Sequence, residues 1–237
     1  MVVLPAFIVI TALYGLIHFL DLNPVLFTFR DTFAVDLSLL VGAVNTAVAF
    51  TLFLCTGMIY ACIKFLQEWA SPLTVVNYTL LGSTSGFTLA TAFAAYQGSG
   101  LTQFYGGWAI IITLVSLLTR SSSLIRNTRI KHKSTTATAV GIRHARIEQK
   151  SQGFMTGSFN TREFFHGAPQ VIFNGIKWLF LLTVFPLPVV LLALGLSANA
   201  AGVFVIAFAV QYAGLLAERW FFFAEANHPQ NLYYQTV

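Results

Sequence analysis

Few side chains in this sequence could do chemistry, and most of those sit beside long apolar runs. Lys64 and Glu68 precede Trp69 in KFLQEWASPL, Lys177 follows the start of another apolar run, and Glu218 and Arg219 are adjacent in AERWFFF. A cation and a carboxylate four residues apart share one helix face. At the end of a membrane helix such residues, with Trp, anchor the interface, and as a set they could line a docking face. A haem between helices takes axial His, Met, Cys or Tyr ligands. His18 is the only histidine within an apolar run, since His132, His144, His166 and His228 fall in polar stretches. A paired-histidine haem therefore lacks its second ligand, and His18 reads as an interfacial or hydrogen-bonded residue. Cys55 and Cys62 are too few to hold an iron–sulfur cluster or a structural zinc and read as small helix residues. No nucleophile elbow, phosphate-binding Gly-rich loop or zinc-protease helix occurs, so no catalytic residue and no metal ligand is assigned.

The composition explains where these residues stand. Of 237 residues, 57% are hydrophobic and 9% charged, against roughly 25% charged in soluble domains. The mean hydropathy is +0.74. These values describe an all-α, polytopic membrane bundle treated as one domain, residues 1–237. The net charge of +5 does not point to nucleic acid, because no basic folded module accompanies it.

About six apolar segments follow in order: 2–20, 37–65, 73–95, 104–120, 171–196 and 201–223. A helix needs about 20 residues to cross about 30 Å of hydrocarbon. Ser71-Pro72 suits the cap and first turn of the third segment. Gly82-Ser83-Thr84-Ser85-Gly86 within it offers a small-residue face for close helix packing, and Pro186 and Pro188 predict a kink in the fifth. Between the fourth and fifth lies a polar loop, 120–167, with nine of the thirteen Lys and Arg residues. Short basic loops stay in the cytoplasm. Counting outward puts both termini there too, and the acidic linker with Asp21, Asp31, Asp36 and the single Arg30 outside. The chain is apolar from its first residues, MVVLPAFIVI, with no basic segment before them, so upstream residues are expected.

Three stretches carry a resemblance: MIYACIKFLQEWASPLTVVNY (58–78), GSFNTREFFHG (157–167) and AERWFFFAEANHPQNLYY (217–234). Together they resemble the membrane anchors of dimethyl sulfoxide reductase-type molybdenum enzymes, particularly the sulfite-oxidising, quinone-linked branch. The resemblance spans nearly the whole chain. It implies a complex of three different proteins in a bacterial inner membrane. A molybdopterin subunit oxidises the substrate, a ferredoxin-like protein carries electrons through iron–sulfur clusters, and the anchor exchanges electrons and protons with membrane quinone while binding no haem or cluster itself. Family anchors have eight spans, and Leu4–Phe7 looks like the middle of one family helix, so two spans and part of a third are expected upstream, with the family's quinone-linked acidic residue just before Met1.

On that reading Lys64, Glu68 and Trp69 are the candidates for an exchangeable quinone. Arg143, Arg146, Arg162, Glu163, Glu218 and Arg219 are the candidates for docking the iron–sulfur protein. Cytoplasmic placement of the loop and termini favours the sulfite-oxidising branch over exported reductases that oxidise quinol. Other readings are a small-solute transporter, which would use the bent helix but lacks an internal repeat, and a tether that never touches quinone.

Overall fold

The structure, a computed structural model, describes residues 2–29, 33–131 and 169–226, together with Thr135, Ala137, Thr138, Gly141, Ile142, His144 and Ile147. The chain divides into two compact units, Met1–Ile59 and Tyr60–Val237.

In the first unit, α1 (Val3–Phe19) leads through a hairpin, β1 (Val25–Phe29) and β2 (Phe33–Asp36), into α2 (Leu37–Ala61). The strands are antiparallel, with Val25 opposite Asp36 and Thr28 opposite Ala34. The all-α expectation did not include this hairpin. Its residues are apolar and β-branched or aromatic, the types that suit strands, but they lie in an interval read only for its acidic charge. Asp36 closes the hairpin and starts α2: its carboxylate accepts from the Leu39 N–H at 2.8 Å and from Asn23 Nδ2 at 3.0 Å. The backbone hydrogen bond from Leu39 and the side-chain bond from Asn23 hold the Asp36 carboxyl below its usual range. Further along, Thr11 Oγ1 donates to Asn45 Oδ1 at 3.1 Å, and the Tyr14 ring lies against Gly42, so a small residue and a polar pair bring α1 and α2 together.

The second unit holds α3 (Pro72–Tyr96), α4 (Thr102–Thr128), α5 (Gln170–Val184), α6 (Pro186–Ala198) and α7 (Ala201–Ala224). α3 and α4 form an antiparallel hairpin, α5 and α6 pack along α7, and α3 also meets α7. Ser71 caps α3 by accepting from the Leu73 N–H at 3.2 Å, and Pro72 occupies the first turn, where its missing N–H costs nothing. Three helices end alike, on a left-handed residue: Asp21 (φ 54), Gly98 (φ 64) and Asn199 (φ 50). After each, the next N–H reaches back five residues, from Leu22 to Ile17, Ser99 to Ala94 and Ala200 to Gly195. Asp and Asn tolerate this conformation better than other side-chain-bearing residues.

Small hydroxyl residues join α3 to α4. Thr84, Thr88, Thr91, Thr113 and Ser116 are fully buried; the Thr84 and Thr113 hydroxyls meet across the interface, while Thr88, Thr91 and Ser116 return a hydrogen bond to their own helix. Apolar clusters flank this layer. Leu81, Leu124, Phe180, Val184, Phe185 and Phe221 lie on one side, and Ala92, Ala109, Leu192, Phe204 and Ala207 on the other.

Several boundaries correct the expected segments. The second ends at Ala61, not Phe65, because residues 62–71 form an irregular turn. The fourth continues to Thr128, so Arg120 begins no loop but lies well inside a helix. The fifth divides at Phe185, where Pro186 and Pro188 cannot donate to the preceding turn. Among the described residues four helical stretches have the length and hydropathy of membrane spans: Leu37–Ala61, Thr102–Thr128, Gln170–Ala198 and Ala201–Ala224. The other two expected spans are the 17-residue α1 and α3, whose Thr, Ser and Asn residues dilute its apolar character.

Candidate functional site

The most polar part of the bundle is buried at the end where α3 begins and α4 and α7 finish. Arg120 Nε stands 2.8 Å from Glu218 Oε1, with side-chain exposures of 2% and 0%. That contact is too oblique for a formed hydrogen bond and acts as a charge pair. The second carboxylate oxygen of Glu218 accepts from Arg219 Nε at 2.7 Å, so one carboxylate lies between two guanidiniums. Removing an ion from water costs several kcal/mol, which close pairing must offset.

Glu225 and Asn127 form the outer layer of the cluster. Asn127 Nδ2 donates to Glu225 Oε2 at 3.0 Å, and Arg120 Nη2 lies 4.0 Å from that oxygen. Burial pushes the Glu225 carboxyl above its usual range, against the opposing pull of Arg120, Asn127 and Lys177.

The turn before α3 is clamped onto the cluster. Arg126 donates to three of its carbonyls, Gln67 O at 2.9 Å, Glu68 O at 3.3 Å and Ala70 O at 3.4 Å, using the fork of donors that a guanidinium offers. Trp69 Nε1 donates to Phe222 O at 3.0 Å, one of the carbonyls that the end of α7 leaves without a helical partner. The indole stacks on Phe222 at 5.2 Å, and Tyr60 stacks on Tyr78 at 5.5 Å. Arg219 lies over the Tyr78 ring at 4.1 Å, a cation–π contact.

The candidates read from sequence divide accordingly. Glu218 and Arg219, expected on a docking face, are in the cluster, with Glu218 wholly buried and Arg219 partly exposed. Glu68 is buried and Trp69 half-buried in the clamped turn, whereas Lys64 is exposed; with α2 ending at Ala61, Lys64 and Glu68 do not share a helical turn. Arg143, Arg146, Arg162 and Glu163 lie outside the described residues. His18 is exposed on α1 with its ring edge-on to Tyr14 at 4.7 Å, and among the described residues no group of His, Cys, Asp and Glu could hold a metal.

Arg120, Arg126, Asn127, Glu225 and Tyr78 were not foreseen. A repeat of seven, which returns to nearly the same helix face, could have found Arg120, Asn127 and Glu225, though not Arg126 or Tyr78. α7 carries Gln211, Glu218 and Glu225 at that spacing, α4 Thr113, Arg120 and Asn127, and α3 Asn77, Thr84 and Thr91. Polar side chains repeated on one face of an apolar helix belong inside the bundle.

No family model matches the chain, and no solved structure matches it. A relative does: a sulfite dehydrogenase subunit of Allochromatium vinosum is 51% identical over 236 residues, covering 100% of this chain and 73% of the relative. Identity at that level over every segment described above means that the chain belongs to the same family as that sulfite dehydrogenase subunit.

Proposed function

We propose that this chain is the membrane-embedded member of a sulfite-oxidising complex and passes electrons from an iron–sulfur partner to membrane quinone. The observation that carries this reading is the full-length similarity to a protein named as a subunit of a sulfite dehydrogenase. A subunit, by definition, acts with other proteins. The resemblance to anchors of dimethyl sulfoxide reductase-type enzymes supplies their chemistry: a molybdopterin protein where sulfite is oxidised and a ferredoxin-like protein between it and this chain.

The geometry favours electron exchange at one end of the bundle. Membrane-length helices leave the apolar faces of the second unit to lipid, while Arg219, Glu225 and the clamped 67–70 turn gather polar groups where a soluble partner could meet them. On this reading that end faces the cytoplasm, as does the basic stretch that follows Thr128, and Arg143, Arg146, Arg162 and Glu163 contribute to docking. Quinone requires an apolar slot with hydrogen-bond donors at its oxygens. Glu68 and Trp69, with Lys64 at the rim, remain the residues proposed to border it; Trp69 would serve as a wall, since its N–H is engaged with Phe222.

The test is purification of the tagged chain from its own membranes in mild detergent, with identification of bound proteins and metal analysis. Recovery with a molybdenum protein and an iron–sulfur protein is the expected result. A chain recovered alone and metal-free, from membranes whose other complexes survive, would refute the reading.

A further inference from the structure

The register of the bundle places its buried polar residues at common depths. α3 runs antiparallel to α4 and α7, and the touching hydroxyls of Thr84 and Thr113 fix one level. Seven residues toward the charged end, α3 presents Asn77 and α4 presents Arg120, so both stand about 10.5 Å from the threonines. Arg120 meets Glu218 at this depth, and the residue seven before Glu218 on α7 is Gln211, at the threonine level. Beyond Arg120 by the same step is Asn127, hydrogen-bonded to Glu225.

Besides Arg120 Nε and Glu218 Oε1, which face each other as a charge pair, and Arg219 Nη1, three buried polar atoms at these levels have no hydrogen-bond partner in the protein: Asn77 Oδ1, Arg120 Nη2 and Gln211 Oε1. Leaving such an atom unsatisfied costs about 1–3 kcal/mol. Two of the three accept and one donates. Water satisfies both kinds at once and bridges groups that cannot reach one another. Beyond Thr84 and Gln211 the hydroxyls of Thr88 and Thr91 are engaged with carbonyls of their own helix, and Ala92, Ala109, Leu192, Phe204 and Ala207 form an apolar cluster.

We propose that α3, α4 and α7 hold a file of ordered water that opens at the charged end and closes at Gln211. Its inner end lies beside the helix break, because Gln211 Nε2 donates to Val184 O at 3.2 Å.

Radiolytic hydroxyl labelling of the assembled complex in water enriched in oxygen-18, read by mass spectrometry, tests the file directly, because buried side chains are labelled when water is bound beside them. The expected result is several-fold more label at Leu81, Leu124 and Phe180 than at Leu192 and Phe204, all buried. Asn77→Leu and, separately, the near-isosteric Thr84→Val should lower the first group. Equal labelling of both groups, or no label at the first, would overturn the proposal, even if a variant failed to fold. The readout needs neither sulfite nor quinone, so a complex that reduces no quinone would refute the proposed function while the labelling still decides the water file.

Discussion

Arg120 on α4 and Glu218 on α7 stand 2.8 Å apart, Nε to Oε1, in a part of the bundle where the two side chains are 2% and 0% exposed. Because Glu218 also accepts from Arg219, its removal strands two guanidiniums, whereas loss of Arg120 leaves Glu218 one partner. Glu218→Gln is predicted to destabilise the purified protein by about 3–5 kcal/mol, the range for breaking a buried ion pair, and Arg120→Met by less. Thermal unfolding in detergent checks the order. Equal losses would mean that the shared carboxylate is not the centre of the network.

Gln211 replaces a backbone donor. Pro188 has no N–H to give to Val184 O, four residues earlier, and the Gln211 amide gives one from α7 at 3.2 Å. Gln211→Leu should therefore cost about 1–3 kcal/mol and raise hydrogen exchange around the break at Phe185. Unaltered stability and exchange would show that the carbonyl finds another donor.

Close approach of α7 to α5 depends on Gly214, where an added methyl would lie 2.9 Å from Val184 Cγ2 and closer still to the Thr183 hydroxyl. Gly214→Ala is predicted to destabilise by about 1–3 kcal/mol through overpacking. Gly86→Ala, with nothing within 4 Å of the new methyl, should be neutral or slightly stabilising, because alanine suits a helix better. The pair of melting temperatures distinguishes packing from propensity.

Asp36 gives the first unit a pH dependence. Its carboxyl sits below the ordinary value of 3.8 because the folded state hydrogen-bonds the charged form, first through Leu39. A depressed carboxylate contributes stability that is present above its unfolded pKa and lost as pH falls through the folded one. Exchange protection of the Leu39 amide should hold at neutral pH and fall on acidification below about 3.8, and Asp36→Ala should remove the dependence. Protection unchanged by that substitution would reject the cap.

If Arg143, Arg146 and Arg162 dock the iron–sulfur partner, neutralising all three should weaken association, and raising salt should weaken the unmodified complex toward the same level, since exposed charges are screened beyond about 8–10 Å. Unchanged association would dismiss the docking assignment.

Much of the helical plan was legible because long apolar runs, a Ser-Pro start and a Pro pair are strong local signals. The hairpin at 25–36 was hidden because its apolar residues were read with the acidic ones beside them, and strand pairing is a relation between segments. Arg120 shows the same limit at the site. As the first cation of a basic stretch it looked solvated, and only the facing carboxylate on α7, nearly a hundred residues on, makes its burial possible. Adjacent Glu218 and Arg219 drew notice, but the heptad linking Gln211, Glu218 and Glu225 becomes meaningful once α3 and α4 lay matching polar rows against it.

The most direct measurement is sulfite-dependent reduction of a quinone analogue by the affinity-purified, molybdenum- and iron-containing complex, followed before and after this chain is stripped away. Sulfite is expected to reduce quinone only while this chain is present, and sulfite oxidation with an artificial soluble acceptor is expected to survive its removal. Quinone reduction at the same rate without the chain would contradict its role as the electron exit into the membrane.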